Sequence, residues 1–277
     1  MAEENTCGGC SAESCEGCPS ARQPESMLEN LNEHSSVKKV IGVVSGKGGV
    51  GKSFVTAALA SALARNGCQV GIMDADVTGP SIPKMYGIHE NAAGCEWGIL
   101  PIESRDGVKI ISVNLLLDDE ESPVVWRGPI VAGVVKQFWT DVYWGNLDYL
   151  LVDMPPGTGD VPLTVFQSIP VDGIVIVTSP QDLVQMIVNK ALGMANMMDI
   201  PVLGIVENYS YLKCPNCGEK ISVFGESRVD QVAAVHDLDV LGKIPINPAY
   251  AKLADDGEFE KVKVEELEPA VKVLEKL

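Results

Sequence analysis

Apolar residues in this chain fall mostly into short runs bounded by glycine, proline and acids, the pattern of strands buried on both faces. "VKKVIGVVSG" from Val37, "QVGIMDAD" (69–76), "VKIISV" (108–113), "DYLLVDMPP" (148–156), "DGIVIVTSP" (172–180), "VLGIVEN" (202–208) and "DVLGKIP" (239–245) each read as one such strand. Between them, "KSFVTAALASALARNG" predicts an Ala/Leu-rich helix ending at Gly67, and 128–143, 181–198 and 225–236 are helical stretches. The last stretch, "KVEELEPAVKVLEKL", places Leu267, Val271 and Leu274 on one face of a short helix. Strands alternating with helices predict an α/β fold, doubly wound around a mainly parallel sheet, over residues 37–277.

Residues 1–36 break the pattern. They hold four cysteines, seven glutamates and one arginine, with almost no apolar periodicity. Such a segment buries too little apolar surface to order itself, so it reads as a flexible tail in the absence of a metal. A helical turn or two is expected around "ESMLENLNEH".

Composition narrows the function classes. At 277 residues the chain can hold one large α/β domain or two small ones. Its formal net charge of −17 argues against nucleic acid phosphates and anionic lipid as partners, since both require Lys/Arg surfaces. The start, "MAEENTCGGC", is acidic and has no apolar core of a signal peptide. The longest apolar stretch, about 161–180, is broken by Pro162, Pro170 and Asp172 and does not read as a membrane helix. A cytoplasmic protein is expected. In a reducing compartment, eight cysteines with six in C-x2-C pairs point to metal or redox chemistry rather than disulfides.

"GKGGVGKS" (46–53) matches G-x4-G-K-[ST] between a strand and a helix, the context in which that motif binds phosphate. Gly46, Gly48, Gly49, Val50 and Gly51 would turn backbone N–H groups inward around the phosphates of ATP. Lys52 can reach the β- and γ-phosphates, and Ser53 can ligate Mg²⁺. Two acid clusters sit at strand ends, where ligands bind in open α/β sheets: "DADVTGPSIP" (74–83) and "DMPPGTGD" (153–160). Asp153 fits the second Mg²⁺-ordering position of such sites, Asp74 lies near the metal, and Asp76 is placed to position the attacking water. Gly157 can offer its N–H to the γ-phosphate. Asp160 reads equally well as a turn cap.

The second lysine of the loop, Lys47, would ordinarily be a solvated loop residue. However, K-G-G-x-G-K-S resembles the deviant Walker A loop of P-loop NTPases of the MinD/nitrogenase-iron-protein class. In that class the extra lysine reaches across a dimer interface to the partner's nucleotide, so the resemblance implies a homodimer and makes Lys47 catalytic beside Lys52 and Asp76.

"CPNC" supplies Cys214 and Cys217, a C-x2-C pair on a tight turn. That is half of a four-thiolate site for iron–sulfur or zinc. Taken together, "GKGGVGKS", "DADVTGPSIP", "VVWRGP", "WGNLDYLLVDMPPGTGD", "VENYSYLKCPNCGEK" and "IPINPAY" resemble the Mrp/ApbC family of iron–sulfur cluster carrier ATPases, from about Val37 to about Gly257. The resemblance implies that Cys214 and Cys217 of two subunits bridge one 4Fe–4S cluster across a two-fold axis, for delivery to apo iron–sulfur proteins. It also implies that Asn208 contacts adenine and that the segment after Pro245 closes over the base. Zinc would accept the same four sulfurs.

The tail's Cys7, Cys10, Cys15 and Cys18 form C-x2-C-x4-C-x2-C. They could bind a second cluster locally, complete the Cys214/Cys217 site within one subunit, or form a loose cysteine-rich tail. Some members of the family carry an N-terminal cluster, but with wider spacing in the eukaryotic branch. Cys68 and Cys95 lack partners at ligand spacing and read as small buried hydrophobes. Two other classes share the phosphate motifs. A positioning ATPase of the MinD/ParA kind needs a basic tail or surface, whereas residues 255–277 carry eight acids and four lysines. A reductase like the nitrogenase iron protein bridges its cluster with two widely separated cysteines per subunit, not a C-x2-C pair.

Overall fold

The computed structural model describes residues 27–277 apart from 78, 80, 118–127, 158 and 181–183. The expected tail cysteines Cys7, Cys10, Cys15 and Cys18 lie outside the described residues. In chain order the elements are β1 (Ser36–Val44), α1 (Lys52–Arg65), β2 (Val70–Asp74), α2 (Ile82–Met85), β3 (Gly94–Cys95), β4 (Gly98–Ile99), β5 (Ile102–Glu103) and β6 (Lys109–Ile111). After these come α3 (Gly128–Thr140), β7 (Asn146–Asp153), α4 (Asp160–Ser168), β8 (Gly173–Thr178), α5 (Val184–Met197) and β9 (Val202–Glu207). The C-terminal part holds β10 (Leu212–Lys213), β11 (Lys220–Ile221), α6 (Val229–Val235), β12 (Val240–Lys243), α7 (Pro248–Asp255) and α8 (Glu268–Leu274).

Eight strands form one sheet in the order β12-β9-β8-β1-β7-β2-β6-β5. Neighbours run parallel except at the edge, where β5 is antiparallel to β6. Because side chains alternate across a strand, each face needs its own apolar cover. Val40 and Val44 of β1 join a core with Val135 and Phe138 of α3, Phe166 of α4 and Val188 of α5. Ile41 and Val43 face the other way, into a core with Val55 and Leu59 of α1 and with Leu267, Val271 and Leu274 near the C-terminus. The sheet is therefore doubly wound, as expected, and β1 lies at its centre with its C-terminal end open to the loops.

Two parts of the chain differ from the sequence reading. Residues 27–35 form no helix, only a single turn closed by Ser35 N–H donating to the Asn32 carbonyl (2.9 Å), and from Glu29 onward they are docked rather than tail-like. Glu29 N–H donates to the Ser168 carbonyl (2.8 Å), Trp139 Nε1–H donates to the Glu29 carbonyl (3.0 Å), and Asn32 is buried. The boundary of the folded domain thus falls at or before residue 29, not at 36, because Leu31 finds an apolar surface to pack on. The second difference is α4, a helix in a stretch broken by Pro162. That proline is the third helical residue, where its missing N–H has no intrahelical partner to lose.

Candidate nucleotide and thiolate sites

The loop from Ser45 to Gly51 joins β1 to α1, and its shape is set by glycine. Gly49 and Gly51 both have φ +78°, a left-handed conformation that costs any other L-residue steric energy. Gly46 is required for a different reason: a Cβ there would lie 2.5 Å from Ile187 Cγ2 of α5. Buried Val50 pins the loop to the apolar layer, while Gly48 and Gly49 have open space on their outer side. Lys47 is half-buried at the loop's mouth, and its carbonyl accepts from Ser45 Oγ (3.0 Å). A cavity of about 330 Å³ is lined by Gly48, Gly49, Lys52, Ser53 and Asp76 among others.

Strand pairing delivers the acids. Asp74 ends β2 and Asp153 ends β7 as register partners, and both are fully buried. Lys52 Nζ lies 2.7 Å from Asp153 Oδ1 and 3.8 Å from Asp76 Oδ2. Ser53 Oγ donates to Asp153 Oδ2 (2.5 Å), and Thr56 Oγ1 lies 2.8 Å from Asp153 Oδ1. Asp74 accepts from the Asp76 N–H and from Ser112 Oγ, each at 3.2 Å. Burial, and next the neighbouring Asp153 charge, push the Asp74 carboxyl up to about 8. Thus Lys52, Ser53, Asp74, Asp76 and Asp153 converge at one end of the sheet. Thr56 and Ser112 were not singled out from sequence. Thr56 falls one turn after Lys52 on α1, a spacing that was available, while Ser112 carries no motif.

Gly157 is placed differently from expectation. Its N–H donates to the Ser45 carbonyl at 2.8 Å, so the group expected to face a γ-phosphate is already engaged by the phosphate loop. A phosphate contact requires that bond to exchange.

Asn208 follows β9 and is 2% exposed. Its side-chain Nδ2 donates to the Val50 carbonyl (2.9 Å), and its backbone N–H donates to the Thr178 carbonyl (2.8 Å). A Cβ on Gly51 would stand 2.2 Å from that Nδ2, so the loop and Asn208 are in close contact. The side chain expected to meet adenine is therefore tied to the phosphate loop by one of its amide hydrogens. Tyr209, next in sequence, has φ +58°, an uncommon value for a bulky residue, at the point where the chain turns toward the cysteines.

Those cysteines sit on a hairpin. Leu212 pairs with Ile221 and Lys213 with Lys220. Cys214 N–H donates to the Glu219 carbonyl and Gly218 N–H to the Cys214 carbonyl, both at 2.9 Å. Backbone N–H groups of Cys217 and then Asn216, followed by the Cys217 side chain, hold the Cys214 thiol below its ordinary range, favouring the thiolate a metal needs. Among the described residues no group of three or more His, Cys, Asp or Glu side chains is arranged to hold a metal ion. Cys214 and Cys217 remain half a site. Cys95, read as buried, is instead exposed on the β3–β4 hairpin.

Residues 36–277 match the family described as NUBPL iron-transfer P-loop NTPase. The chain belongs to this family. It is 44% identical over 260 residues to an iron-sulfur cluster carrier protein of Clostridium perfringens, covering 91% of this chain and 90% of that one. It is also 44% identical to an iron-sulfur cluster carrier protein of Methanocaldococcus jannaschii, over 88% of this chain and 87% of that one. A nucleotide-binding protein from Archaeoglobus fulgidus, solved in complex with ADP with Co found by PIXE, superposes with a TM-score of 0.77 at 43% identity, covering 84% of this chain and 91% of that one. The MinC:MinD cell division complex of Aquifex aeolicus superposes at 0.60 and 21% identity over 86% of this chain and 94% of that one, a likeness of fold. The fold is thus that of MinD/ParA-type P-loop ATPases, and the family is one of nucleotide hydrolases. No helix among the described residues is long and apolar enough to cross a membrane.

Proposed function

We propose that this family member is an ATP-dependent iron–sulfur cluster carrier. Two copies hold one 4Fe–4S cluster between their Cys214 and Cys217 thiols and pass it to apo iron–sulfur proteins. The observation that carries the reading is the hairpin itself: two thiols with backbone N–H groups aimed at one of them and, among the described residues, two ligands where a cluster takes four. A two-fold axis supplies the same pair again. The carrier names of the relatives support the cargo.

At the other site, Lys52 would carry charge on the transferred phosphoryl, and Asp76 would orient the attacking water. Ser53 and Asp153 present hard oxygen donors within 2.5 Å of each other, a donor set that fits Mg²⁺, with Asp74 beside them. Mg²⁺ there would neutralise phosphate charge. Lys47 would complete the site of the partner subunit. Coupling runs through Asn208: the residue bonded to the phosphate loop lies six positions before Cys214, joined to it by the turn at Tyr209 and the two-residue strand β10. A change in the loop on nucleotide binding or hydrolysis would therefore shift the hairpin and the exposure of its cargo.

Zinc remains the second reading, since N–H···S hydrogen bonds suit a zinc knuckle equally. The test is transfer of cluster from anaerobically loaded full-length protein to an apo-4Fe–4S enzyme, with and without ATP. Recovered enzyme activity that depends on Cys214 and Cys217 supports the carrier; zinc in place of iron and sulfide, with no transfer, rejects it.

A further inference from the structure

We propose that the Glu207 carboxylate is a latch fixing both ends of the cysteine hairpin, which makes Glu207 a positioning residue for the thiols. The proposal rests on the reading of Cys214 and Cys217 as metal ligands and adds what aims them. Glu207 ends β9 and has no exposed surface. A carboxylate taken out of water is costly unless its oxygens are bonded. Here both are met by hydroxyls: Ser210 Oγ donates to Oε2 (2.5 Å) and Ser227 Oγ to Oε1 (2.7 Å). Ser210 precedes the hairpin and Ser227 follows it, so one side chain bonds to both of its feet.

Nothing between those feet is buried; residues 211–226 are all exposed or half-buried. The hairpin has no core side chain to anchor it, so its attitude is set at the base. The entry side has backbone support as well, with Ser210 N–H donating to the Ile244 carbonyl (2.8 Å) and Ile246 N–H to the Tyr211 carbonyl (2.7 Å). The exit side has less. Among the described residues, the hydrogen bond that returns 222–227 to the sheet is that of Ser227 with Glu207. The same hydroxyl oxygen accepts from Val229 N–H (3.3 Å) at the start of α6. A carboxylate suits the task because it only accepts, so two hydroxyls can donate to it at once. Losing it would free the exit strand to lift, and with it β11 and the turn that carries Cys217. Successive side chains leave a strand on opposite faces. Glu207 therefore grips the hairpin while Asn208, next in the chain, grips the phosphate loop through the Val50 carbonyl.

Hydrogen exchange of residues 211–226 in the full-length protein tests the latch, using Ser227→Ala, Glu207→Ala and Glu207→Gln, with ADP binding to check folding. Cobalt(II) tests the positioning, read as the thiolate-to-cobalt absorption that Cys214→Ala loses. Ser227→Ala and Glu207→Ala should speed exchange there about tenfold or more, the scale of one lost hydrogen bond to a charged group, with α1 and α5 unchanged. Both should weaken cobalt binding. Glu207→Gln, which can accept from one hydroxyl and donate to the other, should restore most of each. If Glu207→Ala does not fold, Ser227→Ala decides, since its side chain is only half-buried. Wild-type exchange and cobalt binding in Ser227→Ala overturn the proposal. So does exchange that rises throughout the molecule, which would make Glu207 a general stabiliser, or faster hairpin exchange with cobalt binding unchanged. Wild-type protein without the Cys214-dependent absorption sinks the metal reading and the positioning role with it; failure in the variants alone leaves that reading standing.

Discussion

The side-chain amide of Asn208 donates a hydrogen bond to the backbone carbonyl of Val50 at 2.9 Å, joining the strand that leads to the cysteines to the middle of the phosphate loop. Breaking it should separate two activities that otherwise move together. Asn208→Ala is expected to lower stability by about 1–3 kcal/mol, the range for a buried polar partner lost. It should also abolish any effect of nucleotide on alkylation of Cys214 and Cys217. Thiol-labelling rates with and without ATP, in wild type and variant, read this directly; an unchanged nucleotide effect would place the coupling elsewhere.

Gly51 faces the same contact from the loop side. Gly51→Ala forces a side chain into a left-handed backbone conformation, costing about 1–3 kcal/mol on that account. It also thrusts a Cβ to 2.2 Å from Asn208 Nδ2. The expected outcome is a lower melting temperature and lost ADP binding, checked by thermal melts and titration. Normal ADP affinity would mean that the loop relaxes more freely than this packing implies.

Lys52 and Lys47 should fail differently. Lys52→Ala removes the ammonium held between Asp153 and Asp76, and Lys47→Ala removes a charge expected to serve the partner's nucleotide. Each should slow ATP hydrolysis by about 10²–10³-fold. Mixing the two variants should restore part of the rate, because one site in the mixed dimer regains both lysines. Full activity of pure Lys47→Ala protein would remove that residue from the mechanism.

Much of this was legible in the sequence. The buried strands announce themselves because a parallel sheet covered on both faces permits little except Val, Ile, Leu and Gly, as in "VIGVV" of β1 and "GIVIVT" of β8. The phosphate loop was legible because glycine and lysine there answer to a fixed geometry. Ser112 and the Asn208–Val50 bond were not, since each depends on which strand ends the fold places side by side. The two-residue hairpin strands β3, β4, β10 and β11 are too short for any period to show. The docking of residues 29–35 depends on single anchors, Leu31 and Asn32, without a repeating pattern. Helix α7 carries a sequence signal of its own: Asn247 accepts from Ala249 N–H with Pro248 at the first helical position.

The docked segment also fixes where the chain can be cut. Removing residues 1–26 should leave the melting temperature unchanged within error. Removing 1–36 takes away Leu31, the Asn32 hydrogen bonds and the first residue of β1, and should lower stability by about 2–5 kcal/mol. Equal melting temperatures for the two truncations would show that residues 27–36 contribute nothing to the fold.

The most direct measurement is iron and sulfide bound by protein lacking residues 1–26 after anaerobic reconstitution, beside its Cys214→Ala and Cys217→Ala variants. One 4Fe–4S cluster shared by two chains predicts about two irons and two sulfides per chain, falling to background in either variant because each loses two of four ligands. A full cluster per chain, iron retained in either variant, or zinc without sulfide would contradict the shared-cluster account.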